Sequence, residues 1–213
     1  MAIAATFMVS GASLPSDASM RTSAAAGSMP RSGWVATPLP NEVQVEVTDF
    51  RFTPASVVLP RGGTIVFVHL GPSHHSATDA TGMLLFDSGS VDETSPPTSY
   101  TFEAAGVYPF VCTPHPFMGG RVSVPVRAAP ASGPATRART VTFAAGPAPD
   151  GFAYDVQVRR PGDGWASWKR GVSEPSASFT ADAGEGTYRF RARLHEIDVA
   201  SSRWSEPSSI RVG

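Results

Sequence analysis

The chain has one cysteine in 213 residues, Cys112, and that scarcity excludes several chemistries at once. No internal disulfide can form, so no disulfide framework holds the fold, and cysteine usage says nothing about compartment. A binuclear copper centre, which needs two bridging thiolates, is excluded as well. No apolar run approaches the length of about 18 residues that spans a bilayer, so no transmembrane span is expected. With Lys+Arg 17 against Asp+Glu 18 the net charge is −1, too small to favour nucleic acid or strong attraction to a membrane. No constellation of general acid and base is evident, so the chain does not read as an enzyme.

What is present is a ligand-bearing loop. Cys112 stands in Tyr108-Pro-Phe-Val-Cys112-Thr-Pro-His115-Pro-Phe-Met118-Gly-Gly-Arg-Val-Ser-Val, with a histidine three residues on and a methionine three further. Singly, a cysteine is most often a small buried hydrophobe, and a lone His or Met a satisfied core or surface residue. Together, a thiolate, an imidazole and a thioether on one short loop supply three of the four groups of a mononuclear blue copper site. Trigonal His2Cys coordination with a weak axial Met suits copper, whereas structural zinc takes four strong ligands.

The loop is expected to be tight. Phe110 to Cys112 read as the end of one strand and Arg121 to Val126 as the next. Pro114 and Pro116 fix φ on either side of His115 and lower the entropy of the metal-free loop. Gly119 and Gly120 are expected to let the chain turn sharply out of the site.

These residues resemble the cupredoxins, and within them the plastocyanin and amicyanin group. Cys112-Thr-Pro-His115-Pro-Phe-Met118 is similar to the short amicyanin-type ligand loop. The resemblance runs from about Asn41 to Val126 and includes Phe50-Arg-Phe-Thr-Pro54, the turn Pro60-Arg-Gly-Gly63 and Phe102-Glu-Ala-Ala-Gly-Val-Tyr108. It implies a Greek-key β-sandwich, one type 1 copper per chain, and electron transfer through the outer edge of His115 during brief docking of redox partner proteins. It also implies work outside the cytoplasm, in a secreted, periplasmic or cell-surface setting.

The second imidazole comes from Gly71-Pro-Ser-His74-His75-Ser76-Ala77, which offers two candidates. In the family the ligand is followed by Asn, Ser or Thr, whose backbone N–H points at the cysteine sulfur, and then by an apolar residue. His75 fits that register, and His74 would then be its exposed neighbour, because adjacent residues on an extended segment face opposite ways. The implied metal ligands are His75, Cys112, His115 and Met118. His69, within Ile65-Val-Phe-Val-His69-Leu70, is expected to point outward.

The 20 Gly and 20 Pro, with frequent Val, Thr and Ser, point to an all-β chain of two domains. Residues 1–40 are rich in Ser, Ala, Gly and Pro and read as a flexible leader or partial signal segment; they contain no Cys for a lipoprotein anchor. Residues 41–127 form the copper-binding domain, and 128–136, rich in Ala and Pro, read as a semi-stiff linker. Residues 137–213 carry short strands, among them Thr140–Phe143, Tyr154–Val158, Ala177–Thr180, Thr187–Leu194 and Ser209–Val212. The strict alternation of Tyr188, Phe190, Ala192 and Leu194 with Arg189, Arg191 and Arg193 indicates an antiparallel sandwich. Tyr154-Asp-Val-Gln-Val-Arg, Trp165-Ala-Ser-Trp168 and Arg203-Trp-Ser-Glu-Pro207 resemble a bacterial fibronectin type III domain, an immunoglobulin-like sandwich that would space, dock or attach the copper domain through contact with a cell surface or matrix. Two other functions fit the same residues: copper carriage or sequestration, and adhesion or scaffolding through the C-terminal module.

Overall fold

The computed structural model describes residues 41–213, so the expected leader over 1–40 lies outside the described residues. Every regular element among them is a β-strand, and none is a helix long and apolar enough to cross a membrane. The protein is all-β.

Eight strands build the first sandwich: β1 (Glu42–Thr48), β2 (Arg51–Thr53), β3 (Ser56–Val58), β4 (Gly63–His69), β5 (Thr78–Asp79), β6 (Thr98–Phe102), β7 (Gly106–Val111) and β8 (Gly119–Val124). One sheet has the order β2-β1-β4-β6 and the other β3-β8-β7-β5. Alternation selects the inner face of each strand. Val45 and Val47 of β1, Ile65 and Phe67 of β4, and Tyr108 and Phe110 of β7 are almost wholly buried. At the centre the Phe67 ring lies edge-on to Phe52 and Phe110, with centroids at 6.1 Å and 5.2 Å. Such pairs add about 0.5–1.5 kcal/mol each beyond the area they bury.

His69 is buried at 4% exposure, not directed outward. The reason is parity: residues 65, 67 and 69 share one face of β4, and that face is the core. Neither ring nitrogen finds a hydrogen-bond partner among the described residues. Burial holds its pKa below the ordinary imidazole value, with His75 lowering it further and Asp92 opposing.

The second sandwich uses β9 (Arg127–Ala129), β10 (Ser132–Gly133), β11 (Arg139–Thr142), β12 (Phe152–Arg159), β13 (Trp165–Val172), β14 (Ser176–Phe179), β15 (Gly186–Glu196), β16 (Ala200–Ser201) and β17 (Ser208–Val212). A three-stranded sheet, β14-β11-β9, faces a six-stranded one ordered β10-β17-β15-β12-β13 with β16 beside β15. The stretch expected as a linker is therefore part of this sandwich. Ala128 lies opposite Val141 and Gly133 opposite Val212. The buried Arg139 guanidinium donates to the carbonyls of Gly133 and Arg137, both at 2.7 Å. Small residues and prolines suit short edge strands as well as linkers, and composition alone does not separate the two.

The sandwiches meet along a hydrogen-bonded joint. The Ala105 amide donates to Phe143 O at 2.7 Å, Ala145 to Glu103 O at 2.8 Å, and Val107 and Arg203 exchange bonds of 2.9 Å and 3.0 Å. Ala104, Ala105 and Val126 are buried in the second core, while Phe152, Leu194 and Ala200 pack against the first. Gly106 fits because a Cβ there would lie 2.5 Å from Ser202 Oγ. All of these residues sit where β7 begins; Cys112 follows where it ends, about 20 Å away at roughly 3.3 Å per residue.

Candidate metal centre

Strand direction gathers the site at one pole. β1 and β4 run parallel, Val45 opposite Phe67, so the turn after β1 and the segment after β4 emerge at the same end. The ligand loop after β7 closes there too. His115 N donates to Cys112 O at 3.1 Å, Met118 N to His115 O at 2.8 Å, and Cys112 N to Met118 O at 3.0 Å. These three bonds knot the loop on itself, and Pro114 and Pro116, which have no N–H, leave none of them unmade.

The structure brings His75, Cys112 and His115 together, with one ligand atom of each within 4.8 Å of the others. The Cys112 Sγ lies 3.7 Å from His75 Nδ1 and 3.6 Å from His115 Nδ1. A metal at about 2.3 Å from sulfur and about 2.0 Å from nitrogen, with trigonal angles, requires a sulfur–nitrogen separation of about 3.7 Å. The donors therefore stand at coordination spacing. His75 and Cys112 are wholly buried, and Met118 is 2% exposed; His115 is partly exposed, and His74 faces solvent.

Hydroxyls and amides brace the two ligand segments. The Ser76 amide donates to Cys112 Sγ at 3.4 Å, and the Thr113 amide to Ser76 Oγ at 2.8 Å. Thr78 Oγ1 stands 2.9 Å from Ser76 Oγ and 3.0 Å from Thr113 Oγ1. Gly120 is required for close approach rather than for a turn. A Cβ there would collide with the Phe110 ring and come within 2.8 Å of Ala55 O.

The turn Asp49-Phe50 is a part of the site that sequence reasoning missed. Asp49 Oδ1 lies 3.2 Å from His75 Nε2, the ring nitrogen facing away from Cys112. Such a carboxylate fixes the tautomer and orientation of a ligating imidazole. The hydrogen bond with His75 is the largest cause holding the Asp49 carboxyl below its usual range. Gly71 makes room for it, since a Cβ there would meet Asp49 Oδ1 at 2.6 Å. Phe50, at φ 68°, sets its ring edge-on to His115 at 4.9 Å and beside Phe117 at 5.9 Å. A bulky residue in the left-handed region is strained, and such strain gathers at functional sites. For Asp49 the sequence offered only an aspartate at the end of a strand, which is commonplace, and Phe50 stood in the Phe50–Pro54 stretch of the resemblance without a role assigned to it.

Residues 40–125 match the family model of copper-binding proteins of the plastocyanin/azurin family. The match, over about two fifths of the chain, supports a cupredoxin domain there. Its cofactor is one copper ion, which the sulfur–nitrogen spacing fits; among the described residues the His–Cys–His cluster contains no fourth strong donor, so a closed zinc tetrahedron is not provided. Among solved structures, a reduced Cu(I) point mutant of amicyanin is 26% identical, covering 39% of this chain and 81% of that one, with a TM-score of 0.36. A purple cupredoxin from Nitrosopumilus maritimus is 22% identical over 38% of this chain and 97% of that chain, TM-score 0.35. A copper-containing nitrite reductase from Thermus scotoductus is 26% identical over 40% of this chain and 23% of its own length, TM-score 0.35. None of the curated proteins compared matches the chain.

Proposed function

We propose that this protein is an extracytoplasmic electron carrier, with His75, Cys112, His115 and Met118 as the ligands of one type 1 copper. Copper held there supplies a one-electron Cu(I)/Cu(II) couple. The observation that carries the reading is the 3.6 Å and 3.7 Å spacing of two imidazole nitrogens about one buried thiol sulfur, already close to what a trigonal metal requires. Little has to move on loading or on a change of charge.

The remaining residues support transfer rather than turnover of a substrate. His115 is the donor whose ring reaches the surface, and Phe50 (50% exposed) and Phe117 (74% exposed) flank it. A small apolar rim of this kind suits short-lived docking that buries little area. The Ser76 amide donates to the sulfur and Asp49 steadies His75, so the chain orients the donors from outside. Two cavities, of about 680 Å³ and 290 Å³, lie in the second sandwich, away from the ligands.

The second sandwich is read as fibronectin type III-like. Its support is a three-stranded sheet facing one ordered β17-β15-β12-β13, together with Tyr188. The Tyr188 hydroxyl donates to Gly184 O at 2.9 Å at the start of β15, the tyrosine corner of such sandwiches.

Visible absorption and EPR of the copper-loaded protein test the centre. An intense blue or purple band that disappears in Cys112→Ser is the expected result, and a colourless protein retaining zinc refutes it. Stopped-flow exchange with small redox agents and protein partners then tests the role. Sluggish exchange with all of them, with ready release of copper to an acceptor protein, would replace electron transfer by copper carriage.

A further inference from the structure

The three arginines that alternate along β15 have different surroundings. Arg193 donates to Asp155 Oδ2 through Nε and Nη2, at 3.1 Å and 3.0 Å. Arg191 donates twice to Gln157 Oε1, at 2.9 Å and 2.8 Å, and lies 4.3 Å from the Trp165 ring centroid and 5.1 Å from that of Trp204. Each of these two faces a cross-strand partner able to accept from it: Asp155 opposite Arg193, Gln157 opposite Arg191. Arg189 does not. Its partner across the ladder is Arg159, and like charges directly opposite one another destabilise a sheet.

Arg160 adds a third guanidinium to that end. With Pro161, Gly162 and Thr187, the three arginines line a cavity of about 290 Å³. The chain holds two of them in place. Arg160 is forked on Asp182, Nε to Oδ1 at 2.8 Å and Nη2 to Oδ2 at 2.5 Å, and Arg159 Nε donates to Asp163 O at 3.0 Å. The remaining N–H groups of Arg159 and Arg160, and the whole Arg189 guanidinium, make no side-chain hydrogen bond among the described residues. Gly186 keeps the floor close, since a Cβ there would meet Pro161 Cγ at 2.7 Å. Arg211, opposite Thr187 on β17, adds charge on the same face.

Position gives this cluster its meaning. Phe152, at one end of β12, packs against the copper-domain core. Arg159, at the other end, is about 23 Å further on at roughly 3.3 Å per residue. The copper ligands lie about 20 Å beyond the joint in the other domain. Charge divides the same way: residues 41–126 carry three Arg and no Lys against eight Asp and Glu, whereas residues 137–213 carry eleven Lys and Arg against nine Asp and Glu.

We propose that Arg159, Arg160 and Arg189 form a binding site for phosphate groups of an anionic polymer, at the pole remote from the copper ligands. A tetrahedral oxyanion offers several acceptors to the Arg189 guanidinium and to the remaining N–H groups of Arg159 and Arg160, and it offsets the Arg159–Arg189 repulsion. Because the copper domain is acidic, the same polymer repels it, so attachment leaves the His115 edge facing away. The proposal does not depend on the redox reading.

The test measures binding of a short polyphosphate to the full-length copper-loaded protein by titration calorimetry at low ionic strength, with inorganic phosphate as competitor. Wild type is expected to bind, more weakly as salt rises, with displacement by inorganic phosphate. The double variant Arg159→Gln, Arg189→Gln should lose about tenfold or more in affinity while keeping its fold by circular dichroism and its visible band. Arg121→Gln, an exposed arginine of the copper domain, should bind as wild type does. No binding by wild type, an unchanged affinity in the double variant, or an equal loss in Arg121→Gln would each overturn the site.

Discussion

Gly106→Val should unlock the two sandwiches from each other, and its effect can be worked out from the joint. Four backbone hydrogen bonds cross it, two of them the reciprocal pair of Val107 and Arg203. At about 1 kcal/mol each they contribute about 4 kcal/mol, and the side chains buried on either side add more. That coupling alone makes a half-unfolded molecule about a thousandfold rarer than the two-state expectation for independent domains. Wild type should therefore melt in a single calorimetric transition, and copper should raise the whole of it. A valine at 106 begins with a Cβ 2.5 Å from Ser202 Oγ and 3.1 Å from both Ser202 Cβ and Tyr108 Cε2. Ser202 cannot easily yield, because its hydroxyl accepts from the Leu194 amide at 3.2 Å. Overpacking of this kind costs about 1–3 kcal/mol, or about 2–12 °C at about 2–4 °C per kcal/mol for a chain of this size. Scanning calorimetry with and without copper checks it: the variant should melt earlier and show a copper-responsive transition separated from a copper-independent one. Two transitions in wild type, with copper moving one of them, would refute the joint as a coupling element.

Other outcomes follow from the metal centre and the core. His75→Ala should abolish the visible band, whereas the exposed His74→Ala should leave it nearly intact, which absorption spectra decide. Asp49→Ala should weaken copper binding about tenfold to a hundredfold and, by removing an anionic acceptor that favours the higher charge, raise the reduction potential measured by voltammetry. His69→Leu should stabilise the fold by about 1 kcal/mol at pH 7, because it removes buried nitrogens without partners. Since His69 titrates lower in the folded state than its unfolded value of about 6.5, the wild-type contribution is held above that pH and lost as pH falls below it. The stability gap between wild type and the variant, from denaturant melts, should widen on acidification; a constant gap would show that His69 does not titrate as described.

The approach of Cys112 and His115 was legible because its chemistry is local: the two lie within four residues, and a strand end and prolines frame them. The side of β15 that is buried was legible because alternation is local too. Asp49 and Phe50 were not, since they reach His75 and His115 through the parallel pairing of β1 with β4, and nothing in the intervening residues signals that register. His69 could have been placed by counting from Phe67, but a histidine near the end of a strand invites an outward assignment. The run 128–136 reads the same whether it spans solvent or edges a sheet; what decides is the partner strands β11 and β17, which come later in the chain. Gly120 was rightly marked as special and given the wrong cause, because the ring that needs the space, Phe110, lies across the ladder.

The meeting of Gly106 with Ser202, and of Gly82 with Ala200, where a Cβ on Gly82 would lie 3.3 Å from Ala200 Cβ, also constrains how such a chain can diverge. A larger residue at 106 has to be matched by a smaller one at 202, and a larger residue at 202 finds no side chain at 106 left to shrink, so the two halves cannot change sequence independently at the joint. Exchanging the C-terminal half for that of another protein should fail unless positions 200 and 202 travel with residues compatible with 82 and 106. The pair of sandwiches is thus inherited as one object, and its history should be written in paired substitutions at 106 and 202 and in a glycine kept at 82.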